Sequence, residues 1–407
     1  MPINTDINKK SLFKRNRIKI IFCFLLLLLT ACLLISEYIL KNSDILLFNK
    51  ILKIDDKGAN ERFIALKEHR PLQNSRLYNM NVVDKKYSRI RLDENGFILP
   101  SKIHENPDIS IVFLGDSTTI NEIVQEEKRF PYLSGKILEE STGKKINSYN
   151  AAGNGNNTLH SIDILINKVL PIKPNIVVMM VVGTDLNVLM KNKSYWNNDP
   201  DRTPIIEINR DFLIKQIIRQ FKHILPNVGN EIQCFVTYVK AHYNTSHNNT
   251  ALNVVSQPSK ENNRKILTFD WKTVTSEYKM NLQTFISICK ARNITPVLMT
   301  QANMIRDEKI ASKDKNPYIY DMLNDEARKF GLTYTESKGL FDTFNNIVRE
   351  TGRKNNILVI DLDKEIPKVA DNFFDPVHFH QKGSILAAEV ISRNFLADNN
   401  FNQLIQK

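Results

Sequence analysis

The chain has 407 residues, of which 42% are hydrophobic and 25% are charged, so it can bury a full core and is not disordered throughout. Its net charge of +12 is thinly spread outside a basic N-terminal cluster, and there is no arginine-rich run with interleaved aromatic residues. This distribution argues against nucleic-acid binding and is typical of a solvated basic surface.

The N-terminus predicts a membrane anchor. Residues 1–19 are rich in Lys and Arg, and the apolar run IIFCFLLLLLTACLLIS (Ile20 to Ser36) follows directly. We expect residues 20–38 to be a transmembrane signal anchor, with residues 1–19 in the cytoplasm and the remaining chain on the periplasmic or extracellular side. A cleaved signal peptide, or a lipoprotein acylated at Cys32 of LTAC, is the alternative. The Ile-, Asn- and Lys-rich composition suggests a bacterium with an AT-rich genome.

The rest of the chain predicts an α/β domain. Residues 39–108 are mixed and charged, and we interpret them as a stalk and lead-in to a domain at 109–398. Apolar segments rich in Val and Ile then alternate with amphipathic segments, which is typical of a parallel sheet covered by helices. The predicted strands are 109–114, 146–150, 175–182, 295–300 and 357–361. A polar, Asn-rich stretch indicates an insertion at about 190–275.

Four small or polar stretches lie after predicted strands or near the C-terminus. They are Gly115-Asp116-Ser117, NAAGNGNN (150–157), GTDLN (183–187) and DPVHFHQKG (375–383). In a parallel α/β sheet, functional residues collect at the carboxyl ends of the strands. Together these stretches supply a nucleophile, a base, an orienting acid and polar turns, which indicates nucleophilic catalysis.

Ser117 needs a base, because a serine hydroxyl is a poor nucleophile until an imidazole takes its proton. The three-residue spacing from Asp375 lets its carboxylate reach His378, and Pro376 restricts the backbone between them. His380 is a rival base, and a metal site built from both histidines and Asp375 is a further alternative. A turn from strand to helix at Ser117 places helix N–H groups next to the reacting atoms.

The order and spacing of these motifs resemble the SGNH/GDSL hydrolases, and the resemblance extends over roughly residues 85–396. RIRLDENGFILPS (89–101) also resembles the segment before GDS in envelope-associated members. The resemblance implies a three-layer α/β/α sandwich with a parallel sheet of about five strands. It also implies Ser117 as nucleophile, His378 as general base and Asp375 as its orienting acid. We expect no cofactor and no metal.

The resemblance further implies an oxyanion hole made by the backbone N–H groups of Ser117 and Gly155 and by an asparagine side chain. This chain departs from the pattern, because VGTDLN places Thr184 where the family has that asparagine. Thr184 has one hydroxyl donor, and Asn187 is the alternative through a shifted loop. Loss of one such donor typically slows catalysis by ~10²–10³.

The sequence therefore predicts a membrane-bound serine esterase or acyl hydrolase that acts on an ester-linked acyl group of an extracytoplasmic glycan or lipid. An O-acyltransferase that acts on envelope polysaccharide is one alternative. A non-catalytic scaffold or binding protein with the same fold is the other, and the missing asparagine motivates it. Pairing of Cys234 with Cys289 is left open.

Overall fold

The computed structural model describes residues 23–32, 35, 64–69, 71–72, 74–78, 87–197, 199, 203, 205–207, 271–313 and 318–406. The described strands are β1 (Ile64–Leu66), β2 (Asn74–Tyr78), β3 (Tyr87–Arg91), β4 (Ile109–Gly115), β5 (Ile146–Asn150), β6 (Ile176–Met180), β7 (Ile205–Glu207), β8 (Thr295–Met299) and β9 (Val359–Ile360). In the described residues from Ile64 onwards, the α-helices are α1 (Ser117–Ile120), α2 (Phe130–Thr142), α3 (Thr158–Ile164), α4 (Gly183–Asn192), α5 (Trp271–Ala291), α6 (Glu308–Ala311), α7 (Tyr318–Lys329), α8 (Tyr334–Asn355), α9 (Leu362–Glu365), α10 (Gln381–Ala397) and α11 (Asn399–Ile405).

The main sheet has five parallel strands in the order β5-β4-β6-β8-β9. β4 lies between β5 and β6, so the end of β4 is flanked by the ends of two other parallel strands. Two small antiparallel pairs, β1 with β7 and β2 with β3, complete the described strands. The crossovers place the loops that follow β4, β5 and β6 side by side at one edge of the sheet.

Helices cover both faces of the sheet, because its strands are apolar on both sides. On one face, Val112 and Leu114 of β4 belong to a cluster that also contains residues of α3, α5 and α8. On the other face, Ile111 and Phe113 pack with residues of α2 and α10. The predicted α/β class and three-layer arrangement are confirmed, and all five predicted sheet strands are present.

α2 shows how the sequence pattern sets one of these layers. Its segment FPYLSGKILEEST buries Phe130, Ser134 and Leu138, which recur every four residues and so lie on one face of the helix. A proline lies in the first turn, where its missing N–H costs nothing. Helix α2 packs against α10, and the Ser392 hydroxyl of α10 donates to the Ser134 carbonyl at 3.2 Å.

The lead-in is part of the sheet-containing unit. That compact unit begins at Ile64, not at residue 109. Phe97 is fully buried in the same cluster as β4, and the Ile98 N–H donates to the Asn150 carbonyl at the end of β5 at 2.9 Å. The compact unit thus includes residues that the sequence assigned to a stalk, because their apolar side chains are needed to close the core.

The N-terminal unit is described only in residues 23–32 and 35, which are helical and exposed. Within the described residues, no helix combines the length and apolar character needed to span a membrane. The other residues of the predicted 20–38 anchor lie outside the described part, and so does most of the predicted insertion, including Cys234. Cys289 is a buried free thiol on α5.

Candidate active site

Ser117 lies where β4 gives way to α1. Asp116 is the N-cap of α1, and its carboxylate accepts from the Thr118 N–H at 2.9 Å. Gly115 allows the tight turn, because a Cβ there would lie 2.1 Å from Thr119 Oγ1 and 2.8 Å from the Met180 carbonyl of β6. The GDS triplet therefore combines a close strand contact, a helix cap and a hydroxyl at the carboxyl edge of the sheet.

Three predicted residues come together there. Ser117 Oγ lies 2.8 Å from His378 Nε2, and His378 Nδ1 lies 2.6 Å from Asp375 Oδ2. The tautomer that fits both contacts carries its proton on Nδ1, so Nδ1–H donates to the carboxylate and Nε2 accepts from the serine hydroxyl. The His378 side chain is 28% exposed, so the ring is not sealed in the core.

The loop before α10 holds His378 in this orientation. Asp375 Oδ1 accepts from the backbone N–H groups of Val377 and His378 at 2.9 and 2.8 Å, so the acid fixes both the ring and the chain that carries it. The Met304 N–H donates to the Pro376 carbonyl at 2.7 Å and ties the loop to the segment after β8. His380 instead packs edge-on against Phe374.

The charges around His378 favour its protonated form. Burial alone lowers the pKa of His378, but its hydrogen bond to Asp375 and the nearby charges of Asp375, Asp116 and Glu122 outweigh burial, so the pKa is raised from 6.5. Burial raises the pKa of Asp375, yet its bonds to His378 and to two backbone N–H groups bring the net pKa below 3.8. Asp375 therefore stays ionised, and a carboxylate in this position would stabilise a protonated His378.

Gly155 occupies a tight turn beside the nucleophile. The Gly153 N–H donates to the Gly115 carbonyl at 3.1 Å, which fastens the loop after β5 to the end of β4. The Asn156 N–H donates to the Gly153 carbonyl at 3.0 Å, and Gly155 has a φ of +64° inside the turn so formed. This left-handed conformation suits glycine, and the Gly153 contact holds the turn at the end of β4, two residues before Ser117.

Thr184 has a different partner from the one that the sequence suggested. Its hydroxyl donates to Asp116 Oδ2 at 2.8 Å, and a hydroxyl has only one proton. The role of Thr184 as an oxyanion donor stays a prediction. In this geometry its hydroxyl donates its hydrogen bond to the N-cap carboxylate of Asp116 instead. The alternative, Asn187, lies on α4 one turn farther from the helix N-terminus.

Substitutions at Thr184 distinguish these roles. We expect Thr184→Val to lower kcat for ester hydrolysis by less than about tenfold, because it removes a contact to Asp116 and no oxyanion contact. Thr184→Asn is expected to raise kcat about tenfold by adding an amide donor. Steady-state kinetics would test both, with the exposed Thr343→Val as a control. A loss of 100-fold or more in Thr184→Val would assign the hydroxyl to the oxyanion.

A buried polar cluster behind the site did not follow from the motifs. The Asp185 carboxylate is 0% exposed and accepts from the Thr158 N–H and hydroxyl, at 3.1 and 2.6 Å, and from the Tyr195 hydroxyl. It fastens the start of α3 to α4. Gln301 Oε1 accepts from the N–H groups of Val182 and Gly183 and completes the α4 N-terminus. No sequence motif identified Tyr195, ten residues after Asp185, as the partner of this carboxylate.

Asp185 predicts a pH dependence of stability. Burial raises its pKa to about 7 from 3.8 and outweighs its hydrogen bonds. The folded state thus binds a proton that the unfolded state has lost, so the free energy of unfolding should fall as pH rises from about 4 to about 7, by at most about 4 kcal/mol. Asp185→Asn should flatten this dependence. Urea unfolding of both proteins at several pH values measures it, and equal slopes would contradict the assignment.

Among the described residues, no group of three or more His, Cys, Asp or Glu side chains is arranged to hold a metal ion. A charged cluster around the residues that follow β9 is internally paired. Arg349 binds Asp361 and Asp363 at 2.7 Å, and Lys368 binds Asp363 at 2.9 Å.

Known structures similar to this chain include esterases and lipases. A lipase/acylhydrolase from Enterococcus faecalis has 16% identity and a TM-score of 0.38, over 70% of this chain and 95% of its own. A GDSL-like lipase from Bacteroides thetaiotaomicron has 9% identity and a TM-score of 0.37, over 70% and 87%. An acetylxylan esterase from Geobacillus stearothermophilus has 12% identity and a TM-score of 0.38, over 74% and 96%. No family model and no curated protein matches the chain.

Proposed function

We propose that the protein is a serine esterase that cleaves an ester-linked acyl group through an acyl-enzyme on Ser117. The observation that carries this proposal is the continuous hydrogen-bonded series from Ser117 Oγ to His378, at 2.8 Å, and from His378 to Asp375, at 2.6 Å. Nucleophile, base and orienting acid within hydrogen-bond reach form the arrangement that activates a serine for attack on a carbonyl.

The reaction follows from these contacts. His378 Nε2 takes the hydroxyl proton while Ser117 Oγ attacks the acyl carbon, and the backbone N–H groups of Ser117 and Gly155 stabilise the oxyanion. His378 then gives its proton to the leaving alcohol, and a water molecule activated by the same base releases the acid. Asp375 holds the ring in place through both steps.

The proposed substrate is an acylated glycan or lipid outside the cytoplasm. This part of the proposal is supported by the basic N-terminus and the apolar run after it, which would anchor the chain with its catalytic unit on the periplasmic or extracellular side. A sugar hydroxyl that replaces water in the second step would make the same site an O-acyltransferase. The membrane position would favour envelope polysaccharide as the acceptor.

A test of the esterase uses the full-length protein and p-nitrophenyl esters of short and long acyl chains. Turnover that disappears in Ser117→Ala would support the acyl-enzyme, whereas no turnover of any ester and no reaction of Ser117 with a fluorophosphonate would favour a scaffold. Adding a glycan together with the ester distinguishes transfer from hydrolysis. Acetyl that moves from p-nitrophenyl acetate to a deacylated glycan indicates a transferase, whereas acetate released into solution from the ester or from an acylated glycan indicates a hydrolase.

The scaffold remains a second candidate because of one contact. Thr184, at the position where the third oxyanion donor would lie, donates its hydroxyl to Asp116. A protein that had lost turnover would tolerate this arrangement. The hydrogen bond between Ser117 and His378 favours the esterase, because a binding protein has no need of an imidazole placed on a serine hydroxyl.

A further inference from the structure

In a site without a side-chain oxyanion donor, stabilisation of the oxyanion depends more strongly on the backbone N–H of Gly155. Since the Thr184 hydroxyl donates to Asp116, the mechanism proposed above uses the N–H groups of Ser117 and Gly155 for the oxyanion. The Ser117 N–H belongs to a capped helix start, whereas Gly155 lies in a turn with an exposed neighbour, Asn154. Rate therefore depends on how firmly the turn is held.

A lysine from the lead-in contacts this turn. Lys67 Nζ donates to the Gly155 carbonyl at 3.0 Å, across 88 residues of sequence. Lys67 directly follows β1, and β1 is paired with β7, so strand pairing fixes the backbone from which the side chain extends. The contact is partly buried, which lessens its competition with water.

We propose that Lys67 is a positioning residue for the proposed esterase, which holds the Gly155 peptide and adds a positive charge beside the oxyanion. This inference rests on the proposed function and deepens it. The nitrogen and carbonyl oxygen of one residue lie within about 4 Å of each other, so Lys67 Nζ lies within about 7 Å of the Gly155 nitrogen. An oxyanion bound to that N–H would lie about 3 Å farther on, so the ammonium lies within about 10 Å of it. A charge at that distance, in a partly buried site, stabilises a developing oxyanion more than a neutral ester.

The proposal separates Lys67 from the other lysines of the region. Lys168 donates to the carbonyls of Gly96 and His69, so its contacts join the lead-in to the helical segment Leu165–Val169 and not to the turn of Gly155. Lys102 is exposed and pairs with Glu105 at 2.8 Å. Of these three lysines, Lys67 is the one whose ammonium group touches the turn of Gly155, which makes Lys102→Met a matched control for the loss of a lead-in charge.

Three substitutions separate charge from contact. Lys67→Met removes both and should lower kcat about tenfold, with KM changed less than twofold, because the interaction is stronger in the transition state. Lys67→Arg keeps charge and donor and should stay within about threefold of the native rate. Lys67→Gln keeps an N–H donor without charge and should fall between them. Lys102→Met should equal the native protein.

Amide hydrogen exchange of the full-length protein gives a second readout that needs no activity. Exchange in residues 153–157 should be about tenfold faster in Lys67→Met than in the native protein or in Lys102→Met. Unchanged exchange together with unchanged kcat would overturn the positioning role. If the native protein shows no turnover and no labelling, the proposed esterase fails by itself, and exchange of residues 153–157 still decides whether Lys67 holds the turn.

Discussion

Replacing Ser117 by alanine is expected to lower kcat for p-nitrophenyl acetate by about 10⁴- to 10⁶-fold, since loss of the nucleophile removes the acyl-enzyme route altogether. What remains would be the slower attack of water in a site that still binds the ester. The folded structure should be unaffected, because the Asp116 cap, the Thr118 contacts and the strand β4 do not depend on the Ser117 hydroxyl. Steady-state kinetics and thermal unfolding measure the two effects.

The control for this substitution is Ser312→Ala, an exposed serine at the end of α6. It should leave kcat and stability unchanged. Turnover of Ser117→Ala within tenfold of the native rate would contradict the nucleophile assignment and would point to a direct attack by water, with His378 as the base.

Replacing Asp375 by asparagine is expected to lower kcat about 10⁴-fold near neutral pH, because the imidazole loses the partner that fixes its tautomer and stabilises its charge. The pH profile should also change. In the native protein Asp375 raises the pKa of His378 from 6.5, and the base works only when neutral, so kcat/KM should rise with pH through a value above 6.5. Without Asp375, burial dominates and that rise should move to lower pH.

Asp371→Asn is the matched control, because Asp371 lies four residues earlier and forms an exposed pair with Lys382 at 2.9 Å. It should leave the rate and the pH profile unchanged. A profile for Asp375→Asn that rises through the same pH as that of the native protein would show that the carboxylate does not act on His378.

Much of the fold was predictable because its elements follow local periodicities. The five predicted sheet strands are mostly buried, two of them as the apolar runs ISIVFLG and IVVMM, and FPYLSGKILEEST has the bounds of α2. The proximity of Ser117 and His378, 261 residues apart, was expected from motif order and from the tendency of strand ends to meet at one edge.

Contacts that are decided by how distant segments pack together were not predictable from the sequence. Thr184 can orient its hydroxyl towards an oxyanion or towards Asp116, and only the packed ends of β4 and β6 decide between them. The buried Asp185–Tyr195 contact and the Lys67–Gly155 contact join segments whose sequences have no shared pattern. Residues 39–108 were predicted as a stalk and lead-in, and their charges conceal the few apolar residues, such as Phe97, that enter the core.

The most direct test of the account is the site of covalent labelling by a fluorophosphonate, mapped by mass spectrometry on the full-length native protein and on His378→Ala. The account predicts a single adduct on Ser117 in the native protein, and labelling slowed by at least about 10³-fold without the base. Absence of an adduct on Ser117, or equal labelling rates in the two proteins, would contradict a serine activated by His378.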